Sequence, residues 1–220
     1  MLLGAALREV LGVVQSRHPV VFAIPRGGVA VAAGVARALG APLDVLVVRK
    51  IGHPEAPELG LGAIAEDGAG GAAEPYFDAE MLSQAGLAED DLAAVVARER
   101  AELARRVAAY GAAFRAGGQG GAGDLAGRAV IVVDDGLATG GTARAALGAV
   151  RARGAARTVL AVPVAAAAAV SDIEKETGEV VTLVTPRRFR SVGEWYVDFG
   201  QLTDADVLAL LRPRPENGVP

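Results

Sequence analysis

Hydrophobic positions along the chain fall into two kinds of run. Short, mostly apolar runs occupy residues 20–24, 43–48, 129–133, 158–162 and 180–184, and each predicts a buried strand. Longer Ala-rich stretches at 29–39, 142–153 and 165–177 predict helices between them, with Gly40-Ala41-Pro42 as the turn before the second strand. Strands without polar alternation, separated by helices, predict a parallel sheet covered on both faces. Ligands of such sheets bind at the carboxyl ends of the strands.

The middle of the chain breaks this rhythm. Residues 60–65 predict one more strand, followed by the flexible Gly68-Ala69-Gly70-Gly71. Residues 87–114 carry dense charge, including Arg98-Glu99-Arg100-Ala101-Glu102 and Arg105-Arg106. That pattern predicts a long, partly exposed helix with i,i+4 pairs. Residues 117–123 are a Gly-rich linker back to the sheet. We read 66–123 as an insertion within one domain spanning 1–212. Residues 202–211 predict a closing helix, and 213–220 a frayed tail.

Composition narrows the function classes. At 220 residues and 52% hydrophobic, the chain can bury a sizeable core. Its formal net charge of −4 gives no electrostatic footprint for nucleic acid. The 22 basic residues are nearly all Arg, since Lys50 and Lys175 are the sole lysines. The absence of cysteine excludes disulfides, thiolate metal sites and thiol nucleophiles. Arg8 and Glu9 interrupt the apolar opening too early for a secretory signal. The run 159–170 is too short to span a bilayer, so a cytoplasmic protein is expected.

The chemistry concentrates where the strand at 129–133 ends in Asp134-Asp135, followed by Gly136-Leu137 and Ala138-Thr139-Gly140-Gly141-Thr142. Glycines let backbone N–H groups converge on an anion. The helix N-terminus adds partial positive charge, and the Thr hydroxyls add donors. The loop 138–142 therefore suits a monophosphate. The two carboxylates suit a diol, whose hydroxyls donate to them. Phosphate and diol one sugar apart describe ribose 5-phosphate. The stretch is neither a Walker A loop nor a Gly-x-Gly-x-x-Gly fingerprint.

These residues resemble the PRPP (phosphoribosyl pyrophosphate) motif of the type I phosphoribosyltransferases. The resemblance implies a Rossmann-like, mostly parallel sheet flanked by helices, with a small helical or hood insertion. It implies that Asp134 and Asp135 are catalytic and bind the ribose 2′- and 3′-hydroxyls, and that 138–142 hold the 5-phosphate.

Further matches lie upstream. Pro25-Arg26-Gly27-Gly28 follows the first strand; Arg26 offers a bidentate fork for phosphate oxygens. In this context the turn resembles the family's pyrophosphate loop. Arg49-Lys50-Ile51-Gly52-His53 resembles the mobile catalytic loop of orotate phosphoribosyltransferases, but it lacks the second Lys and its spacing to His53 is shorter. Arg49 and Lys50 are expected at the pyrophosphate, Lys50 as a catalytic group. His53 is read as either a loop histidine or a catalytic one, and His18 as structural or exposed.

The fullest resemblance is to a group of bacterial phosphoribosyltransferases of unassigned acceptor. They share Pro-Arg-Gly-Gly, Arg-Lys-Ile-Gly-His-Pro and a C-terminal Val-Gly-x-Trp/Tyr-Tyr-x-Asp-Phe, here at 25–28, 49–54 and 192–199. The resemblance covers most of 20–211, and members often begin with a longer segment. The aromatics Trp195, Tyr196 and Phe199, in the segment 186–200, are read either as a hood stacking an acceptor base or as anchors of the tail. The implied activity, part of nucleotide metabolism, is Mg²⁺-dependent transfer of phosphoribose from PRPP to a nitrogenous acceptor. Mg²⁺ would be held mainly through PRPP and water. The alternative is a non-catalytic PRPP- or nucleotide-sensing module. No nucleic acid or membrane partner is expected, and a homodimer is.

Overall fold

The computed structural model describes residues 2–12, 19–116, 124–200 and 202–211. His18, the linker 117–123 and the tail 213–220 lie outside them.

Helix α1 (Leu2–Gly12) leads into β1 (Val20–Ala23), α2 (Gly28–Leu39) and β2 (Leu43–Val45). A hairpin sheet follows, made of β3 (Val48–Gly52), β4 (Gly60–Ala65) and β5 (Tyr76–Phe77). Then come α3 (Ala79–Ala85), α4 (Ala93–Ala116), β6 (Ala129–Val133), α5 (Gly141–Ala152), β7 (Arg157–Val164), α6 (Ala167–Thr177), β8 (Glu179–Val184) and α7 (Asp204–Leu211).

The main sheet has the order β2-β1-β6-β7-β8, and all its pairs are parallel. Successive side chains point to opposite faces, so each apolar strand feeds two cores. Val21, Ala23, Ile131 and Val133 pack with α1, α2 and α7 on one face. Val20, Phe22, Val130 and Val132 pack with α5 and α6 on the other. Burying one such aliphatic side chain contributes about 1.5–3 kcal/mol. The mostly parallel α/β sheet flanked by helices is thus the observed architecture.

One expectation is corrected and one is extended. The run 43–48 is not one strand: β2 ends at Val45, and β3 belongs to the antiparallel hairpin sheet. Leu46 and Val47 are both buried, but they pack into opposite cores, so the apolar run continues while the chain changes sheets. The segment 66–123 holds β5 and α3 besides the long helix. Helix α3 is delimited locally. Asp78 Oδ1 accepts from the Met81 amide at 3.1 Å, and Gly86 ends the helix with a left-handed φ of 68°. No helix among the described residues is long and apolar enough to cross a membrane.

The connectivity sets the site. From β1 the chain moves outward to β2, and from β6 it moves the other way to β7. The β1/β6 boundary is therefore the point where strand order reverses, and a crevice opens there above the carboxyl ends.

Candidate active site

Strand β6 delivers Asp134 and Asp135 to that crevice. The Asp134 amide donates to the Ala161 carbonyl at 3.3 Å, which continues the β6–β7 ladder past the strand end. The Asp135 amide donates to Asp134 Oδ1 at 2.8 Å, which folds the first carboxylate back over the turn. Burial, and then the charge of Asp135, push the Asp134 carboxyl well above the usual carboxylate range. Burial also raises Asp135. Two half-buried acids side by side favour ligands that donate hydrogen bonds or carry positive charge.

The Pro-Arg-Gly-Gly turn meets them from β1. Ile24 donates to the Val133 carbonyl at 2.9 Å, which holds the two strand ends in step. The Pro25–Arg26 peptide is cis. A Cβ on Gly27 would lie 1.8 Å from Asp135 Oδ2, and one on Gly28 would lie 2.6 Å from the Val133 carbonyl. Only glycine allows this approach, so both residues are needed to seat the turn against the acids.

Past the acids, residues 138–142 curve into α5. Gly140 has φ +87°, a left-handed conformation that favours glycine. The first amides of α5 have no intrahelical carbonyl to pair with, and they sit at the positive end of the helix. Asp134, Gly136 and all of 138–142 line a cavity of about 140 Å³. Loop and acids therefore present donors and acceptors side by side, as a phosphorylated diol requires.

A sequence profile of the phosphoribosyl transferase domain covers residues 4–195. The chain belongs to the phosphoribosyl transferase domain family. A provisionally named phosphoribosyl transferase of Mycobacterium tuberculosis, Rv0571c in strain H37Rv and MT0597 in strain CDC 1551, is 42% identical over 208 residues. That alignment takes in 94% of this chain but 44% of the relative, so the chain spans less than half the relative's length. The crystal structure of TT1426 from Thermus thermophilus is 41% identical, with a TM-score of 0.72, and covers 95% of this chain and 94% of that one.

Within this phosphoribosyl transferase domain a second cavity of about 320 Å³ adjoins the acids. Its lining includes Arg26, Gly27, Asp135, Tyr196, Asp198 and Phe199. The rings of Tyr196 and Phe199 lie 5.1 Å apart, tilted by 43°. The segment 192–199 is seated on the acid turn. Val192 occupies the place where a Gly136 Cβ would sit, and the Tyr196 hydroxyl donates to the Asp135 carbonyl at 2.5 Å. Trp195 is 44% exposed and lines neither cavity.

The cations on β3 are placed differently. Arg49 is committed to Glu99 on α4 through bonds of 3.0 and 2.7 Å. Lys50 is exposed, and its ammonium rests on the Glu58 carbonyl. Neither lines the two cavities. His53 Nδ1 accepts from the Glu55 amide at 3.1 Å and so shapes the β3–β4 loop. Among the described residues no group of three or more His, Cys, Asp and Glu could cage a metal.

The sequence motifs leave out Arg144 and hold Asp198 only as a member of the 192–199 pattern, with no role. Asp198 is one position from the aromatics that drew attention. Arg144 had a sharper signal: a cation near the start of an Ala-rich helix opposes the helix dipole, so a specific partner should hold it there.

Proposed function

We propose that this chain binds PRPP and transfers its 5-phosphoribosyl group to a nitrogenous acceptor. The observation that carries the reading is the joint placement of three pieces. The Asp134-Asp135 pair touches the Arg26-Gly27-Gly28 turn on one side and the 138–142 loop on the other. In this reading the amides and hydroxyls of 138–142 hold the 5-phosphate, and the two carboxylates accept from the ribose hydroxyls. Arg26 binds the pyrophosphate.

The acceptor nitrogen bonds to C1 of the ribose as the bond from C1 to the pyrophosphate oxygen breaks. The proton displaced from the acceptor leaves with the pyrophosphate. The Tyr196 and Phe199 end of the cavity that adjoins Asp135 would seat the acceptor.

The Asp134-Asp135 pair suits Mg²⁺, which keeps several waters and takes further ligands from substrate oxygens. When bound, the ion supplies neutralisation of the leaving pyrophosphate. Asp134 and Asp135 would contribute the protein's share of its contacts, directly or through water.

One observation favours a second reading, a PRPP- or nucleotide-sensing module without turnover. Of Arg26, Arg49 and Lys50, only Arg26 lines the crevice. Incubation with PRPP, Mg²⁺ and a panel of nitrogenous bases, followed by pyrophosphate assay, separates the two. Base-dependent pyrophosphate release supports the transferase. PRPP binding without release from any base supports the sensor.

A further inference from the structure

Arg144 is only 8% exposed and has a defined set of partners. Its Nη1 donates to the Thr139 carbonyl at 2.9 Å, inside the loop assigned to the 5-phosphate. Its Nε and Nη2 donate to the two carboxylate oxygens of Glu176, on the last turn of α6, at 2.7 and 3.3 Å. The Tyr76 ring of β5 lies 5.7 Å from the guanidinium carbon. A Cβ on Gly140 would come within 2.9 Å of Nη1.

The consequence follows from peptide geometry. A trans peptide unit is planar, and its C=O and N–H point in opposite directions. Arg144 draws the Thr139 carbonyl toward the protein interior. The N–H of the same unit, on Gly140, is thereby turned away from Arg144, and Gly140 lines the cavity of 138–142, whose lining does not include Arg144. If that carbonyl rotated outward, its negative end would face the phosphate and one donor would be lost. A buried arginine in the first turn of α5 is unfavourable against the helix dipole on its own. The paired contact with Glu176 offsets that cost and fixes the guanidinium plane.

We propose that Arg144 and Glu176 are positioning residues that aim the Gly140 amide at the 5-phosphate. Arg144 touches no substrate in this scheme; it acts through the Thr139–Gly140 peptide. The inference rests on the PRPP reading above, and it adds which residues outside the motif set the phosphate affinity.

The test compares ligands that do and do not carry the 5-phosphate. Wild type, Arg144→Met and Glu176→Gln are titrated by calorimetry with PRPP, ribose 5-phosphate and pyrophosphate, each with Mg²⁺. Arg144→Met is expected to weaken ribose 5-phosphate and PRPP by roughly tenfold or more, as for loss of a bond to a charged group. Pyrophosphate affinity is expected to stay within about twofold of wild type, because Arg26 and its turn are untouched. Glu176→Gln should show the same selective pattern at smaller size, and it decides the matter should Arg144→Met fail to fold. An equal loss for all three ligands would reduce Arg144 to a general structural role and overturn the proposal. So would unchanged ribose 5-phosphate affinity in a folded variant. Failure of wild type to bind PRPP at all would strike the functional reading itself, a result distinct from either.

Discussion

The Tyr196 hydroxyl donates to the backbone carbonyl of Asp135 at 2.5 Å, joining residues 61 positions apart. Burial, followed by the charges of Asp135 and Asp134, pushes the phenol up to about 12, so it remains a donor across the physiological range. The segment carrying the aromatics is therefore fastened to the turn carrying the acids. Tyr196→Phe keeps the ring and removes the donor. It should cost about 1 kcal/mol, read as a fall of about 2–4 °C in Tm for a chain of this size. An unchanged melting temperature would show that the bond holds nothing.

Gly27 offers a sharper probe of the crevice. A methyl there would overlap Asp135 Oδ2, so Gly27→Ala must displace the carboxylate or the turn. The carboxylate is the end of a side chain and can move, so the fold should survive. PRPP affinity should fall by roughly 10-fold or more, the scale of a lost bond to a charged group. Calorimetry on a variant with wild-type circular dichroism checks this; retained affinity would separate Gly27 from the ligand site.

Glu66 gives a pH signature outside the crevice. It is 8% exposed, and its Oε1 accepts from the Val47 amide at 3.0 Å. Burial foremost, with Asp44 and Asp67 adding and the Val47 bond and Arg153 opposing, raises its carboxyl from 4.5 to about 7. A raised folded-state value means the native state binds the proton more tightly than the unfolded chain. The associated stability is full below about 4.5 and is lost as pH rises through about 7. Glu66→Gln keeps the acceptor without the charge. Its stability should match wild type near the acid end of this window and exceed it above the window. The acids at 134 and 135 titrate in the same direction in both proteins, so the difference isolates Glu66. Parallel Tm curves for the two proteins would contradict the assignment.

The neighbours Arg49 and Lys50 should respond oppositely. Arg49→Ala leaves Glu99, whose side chain is 10% exposed, with the 3.2 Å contact to Arg98. A loss of about 1–3 kcal/mol is expected in denaturant unfolding. Lys50→Ala should stay within about 0.5 kcal/mol of wild type, because its ammonium is exposed and rests on the Glu58 carbonyl. Equal stability losses for the two would refute this division.

How much was legible in the sequence depended on the range of the interaction. The strand, acid pair, loop and helix start from Ala129 to Thr142 form one continuous segment, and local chemistry was enough to read it. The Asp78 and Gly86 boundaries of α3 were equally local but short, and the charged run nearby masked them. The switch of sheets at Leu46-Val47 left no mark, because both residues are buried and apolar. The ion pair of Arg49 leaves no mark in the sequence, because its partner Glu99 lies 50 positions away, beyond any periodic signal. Arg144 and Glu176 likewise meet only once α5 and α6 pack side by side. Distance in the chain, rather than subtlety of chemistry, separated what could be read from what had to be seen.

The central claim is that the neighbouring carboxylates at 134 and 135 form the ribose half of a PRPP site. Titration of PRPP with Mg²⁺ into wild type and into Asp134→Asn/Asp135→Asn tests it most directly. PRPP should bind wild type saturably and fail to bind the folded double variant, which keeps side-chain size while removing both carboxylates. Equal PRPP affinity in the two proteins would contradict it.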